Sequence, residues 1–244
     1  MENKNWIVTW WWKILTVALL LFTIVMGMMA EVPHLYILNE TIRNLYFHVP
    51  MWFGMTILLF VAMIYSVKFL RSGNPEHDIK SAAFTNAGIL FGICGILTGM
   101  IWAQFTWGVF WNNDPKENAA AVGLLLYFSY FVLRNSIDDL EKQARVSSVA
   151  NIIFYFIFIP IIFIVPRLTD SLHPGNGGNP GFNTYDLDSN MRMIFYPAVI
   201  GWTLLGTWIA NIIARTEIVY RQFQFAVNNH STNNSAKQID SKIK

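Results

Sequence analysis

Residues 82–104 read AAFTNAGILFGICGILTGMIWAQ, 23 positions without an Asp, Glu, Lys, Arg or His. Wound as an α-helix, such a run is about 35 Å long, enough to cross a hydrocarbon layer of about 30 Å. One charge at its centre would cost roughly 2.5–3.5 kcal/mol or more, so the clean stretch is itself the signal. Five further runs of this kind lie at about 14–30, 49–67, 118–133, 146–166 and 193–214. The fourth, 118–133, is short and is expected to extend a little at each end. The 244 residues are 54% hydrophobic and only 13% charged, where a soluble domain has about 25% charged residues. The sequence therefore predicts an all-α integral membrane protein with six transmembrane helices.

Lys and Arg set the orientation. Thirteen of them fall on the termini and the even-numbered connections, against Arg43, Lys116, Arg167 and Arg192 on the odd-numbered ones. The positive-inside rule then puts both termini in the cytoplasm and connections 31–48, 105–117 and 167–192 outside. No A-x-A-like site follows the first run, so it is read as an uncleaved anchor, with Trp6, Trp10, Trp11 and Trp12 as an interfacial belt. The organisation expected is a cytoplasmic N-terminus over 1–13, a membrane domain over 14–214 and a cytoplasmic tail over 215–244. The end of that tail, NNHSTNNSAKQIDSKIK, has no apolar face and is expected to be disordered. The cytoplasmic connections read as ordinary polar turns.

The runs contain no ionisable group. Proton pumps, ion-coupled transporters and b-type membrane cytochromes need such groups within the bilayer, so the chemistry is expected at the outer surface. The single cysteine, Cys94, rules out an intrachain disulfide, and no C-x-x-C-H is present for covalent haem attachment. In the third run Gly88, Gly92, Gly95 and Gly99 recur at spacings of four, three and four, as a close helix–helix seam or as a shelf for a flat ligand. Pro160 and Pro166 are expected to kink or end the fifth helix.

Two outer histidines stand out. His48, in YFHVPMWFG, directly precedes the second run, with Pro50 suited to a first helical turn. The positive end of a helix disfavours imidazolium, and a neutral imidazole is what a metal ligand must be. Taken alone, His48 is equally an interfacial cap. His173, in DSLHPGNGGNPG, is alone an ordinary loop residue on a glycine-rich backbone of long reach. His34 has nothing to raise it above a surface residue. Between the third and fourth runs lies WGVFWNNDPKEN, residues 107–118. If helical, Trp107 and Trp111 share a face, with Phe110 adjacent, either as an aromatic belt or as a plate for a flat π-system. Asp114, Pro115 and Glu117 form a capping-box pattern for the fourth helix, leaving Lys116 to meet an anion. Two imidazoles and an aromatic plate on one side of the membrane suit haem, and the outer cations Arg43, Lys116, Arg167 and Arg192 are candidates for its propionates.

WGVFWNNDPKE resembles the tryptophan-rich WWD signature of the haem-handling proteins of cytochrome c biogenesis, approximately W-G-x-aromatic-W-x-W-D-x-K/R. Trp107, Gly108, Phe110, Trp111, Asp114 and Lys116 match; Asn113 stands where the family usually has a third Trp, which reduces the stacking surface. YFHVP matches the family's H-V-P segment and SLHP its later L-H motif, so the resemblance spans roughly residues 10–215. It implies that His48 and His173 are axial ligands of haem iron, and that the matched loop residues hold haem b non-covalently and transiently. The six-span branch, maturation protein C, binds haem at the outer face of the bacterial inner membrane. There it presents haem to a periplasmic haem chaperone, in company with ATP-binding-cassette exporter subunits, without being a catalyst. Larger haem lyases or synthases of the family have more spans and intramembrane histidines. The alternatives are thus a core subunit of a split synthase, or a haem-free membrane scaffold or permease. Lipid is the other expected partner; nucleic acid is not one.

Overall fold

The structure, a computed structural model, describes residues 6–34, 38–173 and 187–243, with side chains for 9–34, 38–173 and 187–228. Six helices follow one another: α1 (Trp6–Met29), α2 (Leu45–Ser72), α3 (Pro75–Trp107), α4 (Pro115–Asn135), α5 (Leu140–Ile159) and α6 (Ser189–Ile243). There is no strand among the described residues. Five of these helices are long and apolar enough to cross a membrane, and α4 is not one of them. Its 21 residues include Lys116, Glu117 and Asn118 at one end and Arg134 and Asn135 at the other, so its apolar stretch is short.

Local chemistry places the boundaries. Gly73, at φ 65°, closes α2, and Asn74 opens α3 by accepting from the Glu76 N–H at 2.9 Å, with Pro75 as the first helical residue. Asp139 caps α5 in the same way through the Lys142 N–H. At Pro160 α5 loses a donor and becomes a π-turn (Pro160–Ile164), then a 3-10 turn (Val165–Arg167). From Thr207 onward the sequence has neither Gly nor Pro, and the α6 backbone stays helical to Ile243, where a disordered tail was expected.

The second helix also starts earlier than the sequence suggested. A 3-10 turn (Asn39–Asn44) leads into α2 at Leu45, so His48 lies inside the helix and Pro50 is an interior residue. A proline there leaves the carbonyl four residues back without its helical donor. That carbonyl belongs to Tyr46, and the indole N–H of Trp202 on α6 donates to it at 3.3 Å.

The helix α2 is central, packed on α3, α5 and α6; α1 leans on α6, and α4 on α3 and α5. Met55, Leu58 and Leu59 of α2, Phe91 of α3, Tyr127 of α4 and Phe158 of α5 share one core. The glycine seam of α3 faces α2: Gly88 meets Leu59, Gly92 meets Met55, Gly95 meets Trp52 and Gly99 meets His48. A Cβ at any of the four would come within 3.0 Å of those side chains.

Because lipid is as apolar as leucine, burial alone does little to hold such helices together. Polar contacts supply specificity away from the loops that were read as outer. Asn151 of α5 donates to Ser81 and Thr85 of α3 at 3.1 and 2.9 Å, and Ser81 pairs with Ser66 of α2 at 2.7 Å. Asp78 at the start of α3 holds Arg134 at the end of α4 through two 2.7 Å bonds, the side chains only 3% and 11% exposed. The connections read as ordinary polar turns thus bracket a buried ion pair. Breaking such a pair strands a charge, at a cost of about 3–5 kcal/mol, whereas replacing both partners by apolar groups is nearly neutral. Arg134→Met is therefore expected to lower the thermal unfolding midpoint in detergent sharply, and Asp78→Leu combined with Arg134→Met to restore most of it.

Candidate functional site

The three connections after α1, α3 and α5 meet around one cavity of about 500 Å³. His48 enters it from the first turn of α2. Its Nδ1 lies 2.9 Å from the Gly95 carbonyl and 3.2 Å from the Thr98 hydroxyl. A carbonyl can only accept, so Nδ1 carries the proton and Nε2 keeps its lone pair. The absence of a side chain at Gly99 is what lets the ring lie this close to α3, since a Cβ there would sit 2.7 Å from the His48 ring, while a Cβ on Gly95 would meet Trp52 at 2.9 Å. The upper half of the glycine seam is thus helix packing, and the lower half is the seat of a histidine.

His173 enters the same cavity from the connection after α5. It is held by Asp114, the N-cap of α4. The carboxylate accepts from the Lys116 N–H at 2.8 Å, as a cap should, and also from the Leu172 N–H at 2.7 Å, the Ser171 hydroxyl at 2.9 Å and His173 Nδ1 at 2.9 Å. Glu117 does not complete a reciprocal capping box: it accepts from the Asn112 N–H, and the Asp114 N–H donates to Asn112 Oδ1. Burial disfavours the Asp114 carboxylate, but its backbone donors, His173 and Ser171 outweigh that and hold its pKa below the ordinary value. Burial is likewise the main influence on His173 and lowers its pKa, against the pull of Asp114. The pair is thus a neutral imidazole donating Nδ1–H to an ionised carboxylate, and here too Nε2 keeps its lone pair.

The aromatic stretch is divided between a helix and a loop. Trp107 ends α3, Gly108 turns the chain at φ 81°, and Trp111 lies beyond the turn, so the two tryptophans do not share a helix face. Both nevertheless line the cavity. Trp107 stands edge-on to His173 at 4.9 Å between ring centroids. The Trp111 indole donates to Asn118 Oδ1 at 3.2 Å, and Asn118 donates to the Asn113 carbonyl at 3.1 Å. Asn113 has φ 61°, a left-handed conformation that asparagine tolerates far better than tryptophan. The position matched to the third Trp of the signature that this stretch resembles is therefore a tight-turn position here. Gly108 is the hinge and does not line the cavity; Phe110, 55% exposed, does not line it either.

Two tryptophans of the wall escaped the sequence reading, Trp102 and Trp52. Trp102 lies 5.1 Å from Trp107 and 6.2 Å from His173, and Trp52 lies 6.5 Å from His48. The signal was available: Gly95, Gly99, Trp102 and Thr106 continue one helical face, and Trp52 is four residues after His48. Among the cations, Lys116 and Arg167 line the cavity. Arg43 does not; it binds Glu40 at 2.6 Å and the Gly27 and Ala30 carbonyls at the end of α1. Arg192 also stays off the wall, bonded to the Leu187 carbonyl. The glycine-rich run 175–181 lies outside the described residues, and His34 is exposed.

With this geometry, the relationship to known proteins is informative. A model of the family described as heme exporter protein C matches residues 2–228. The chain belongs to the heme exporter protein C family. It is 27% identical over 214 residues to heme exporter protein C of Bradyrhizobium diazoefficiens, covering 87% of this chain and 79% of that protein. The corresponding protein of Haemophilus influenzae is 26% identical over 212 residues, 84% and 82% of the two chains. Cytochrome c biogenesis protein CcsA of Pelargonium hortorum is 32% identical over 107 residues, 43% of this chain and 34% of that one. The chain is thus a multi-pass helical membrane protein of haem handling in cytochrome c biogenesis.

The lowered values of His173 and Asp114 have one sign. Folded, both groups bind fewer protons than when unfolded, so their contribution is complete above the ordinary histidine value of 6.5. It is lost as pH falls below 6.5, where the unfolded imidazole charges first, and further as Asp114 protonates below 3.8. The unfolding midpoint is expected to fall as pH is lowered from neutrality through 6.5, and to fall less in His173→Ala.

Proposed function

We propose that the cavity holds haem b as a non-covalent, transient cargo, with His48 and His173 as its two axial ligands. The observation that carries this reading is that both rings have Nδ1 committed to an acceptor in the wall, which leaves Nε2 as the ligating atom on each. Among the described residues no group of three His, Cys, Asp or Glu gathers to hold a bare metal ion. An imidazole pair alone suits an iron that carries its remaining donors in its own macrocycle. The volume, about 500 Å³, falls within the range of roughly 300–1,000 Å³ usual for ligand sites. Trp52, Trp102, Trp107 and Trp111 supply a wall for a flat π-system, and Lys116 and Arg167 are placed for propionates.

In this reading α4 completes a sixth span, both termini are cytoplasmic, and the cavity faces the periplasm across the inner membrane. The protein positions haem for transfer to a periplasmic haem chaperone and works beside ATP-binding-cassette exporter subunits; it binds and presents and is not the catalyst. A second reading is a core subunit of a haem lyase or synthase; the partial likeness to cytochrome c biogenesis protein CcsA is compatible with either role. Co-expression with an apocytochrome c and no haem chaperone separates the two: covalent cytochrome c formed under those conditions selects the synthase.

Purified protein is expected to show a Soret band, and the double variant His48→Ala, His173→Ala to lose most of it; normal haem content there would overturn the ligand assignment. Gly99→Ala, which crowds the His48 ring, is expected to lower haem occupancy several-fold while the helical circular dichroism stays unchanged.

A further inference from the structure

Resting on the haem reading above, we propose that the two axial imidazoles are unequal: Asp114 is a positioning residue that makes His173 the stronger donor and biases bound haem towards the ferric state. The asymmetry lies in what holds each Nδ1. His48 donates at 2.9 Å to the Gly95 carbonyl, a neutral acceptor, with the Thr98 hydroxyl, whose own proton goes to the Cys94 carbonyl at 2.7 Å, a further neutral oxygen 3.2 Å away. His173 donates at 2.9 Å to a carboxylate only 1% exposed. A hydrogen bond to an ionised acceptor is roughly twice as strong as one between neutral groups. A carboxylate behind a ligating histidine raises the basicity of the other ring nitrogen. A more basic nitrogen stabilises the higher charge of ferric over ferrous iron, and does so most where little water screens the carboxylate.

The geometry also fixes this partnership. Asp114 cannot swing away, because its two oxygens are gripped by the Lys116 and Leu172 N–H groups and by Ser171. The His173 ring cannot easily turn, because Trp107 and Trp102 stand against it at 4.9 and 6.2 Å. Ser171 matters in its own right: its hydroxyl donates to the same Oδ1 that accepts from His173 and so competes for that oxygen's charge.

The test is the haem midpoint potential of the full-length protein in detergent, loaded with hemin and titrated spectroelectrochemically. Asp114→Asn keeps a good N-cap for α4 but removes the charge. It is expected to shift the ferric-over-ferrous binding ratio about tenfold towards ferrous, about 59 mV upwards for a one-electron couple. Ser171→Ala removes one of the two donors that share Oδ1 with His173, leaving the Lys116 N–H, and is expected to move the potential the other way. A purely structural role for Asp114 would lower haem content in both variants without opposite shifts. An Asp114→Asn potential equal to wild type overturns the inference and leaves the haem reading intact. Should Asp114→Asn not take up hemin, Ser171→Ala decides: a downward shift supports the inference, and no shift or an upward one overturns it. Failure of the wild-type protein to take up hemin overturns both readings.

Discussion

In a hydrocarbon layer a backbone polar group must find its partner within the protein, and polar contacts between helices fix much of this arrangement. The Tyr46 carbonyl, freed by Pro50, is met by Trp202 from another helix. The amide of Asn151 reaches hydroxyls on α3, and Asp78 and Arg134 satisfy each other as a closed pair. Each contact links helices that lipid-like packing alone would leave indifferent to register, so the polar contacts choose the neighbours and the glycine seam sets the distance.

The candidate site follows the same economy. A helix start needs a cap, a histidine-bearing loop needs an anchor, and an imidazole held in one tautomer needs an acceptor at its protonated nitrogen. Asp114 meets all three needs with one carboxylate. At the other histidine, Gly95 gives a carbonyl to His48 and, having no side chain, room for Trp52 beside it. The cavity between them is walled by indoles from both helices of the α2–α3 pair and from the loop after α3.

Much of this was legible in order along the chain. The apolar runs marked the helices, the Asp-Pro pair marked the start of α4, and His48, His173, Trp107 and Trp111 all line the cavity. Other parts depended on through-space partners that local pattern does not encode. Pro50 looked like a helix start because a proline suits a first turn; the helix begins earlier because α6 supplies the donor that an interior proline requires. Trp107 and Trp111 looked like one face because their spacing is helical, but Gly108 ends the helix between them. Arg43 looked like an anion partner by its side of the membrane, yet the carbonyls at the end of α1 take it.

By itself the sequence determined the membrane class, the approximate helices and some of the residues gathered at one end, because hydrophobic length, charge exclusion and helix punctuation are local properties. The tertiary structure alone decided which tautomer each histidine holds, which cations reach the cavity, that Trp52 and Trp102 belong to its wall, and that a capping aspartate also anchors a histidine 59 residues away. Those facts depend on distances between groups far apart in the chain, which exist only once the helices have packed.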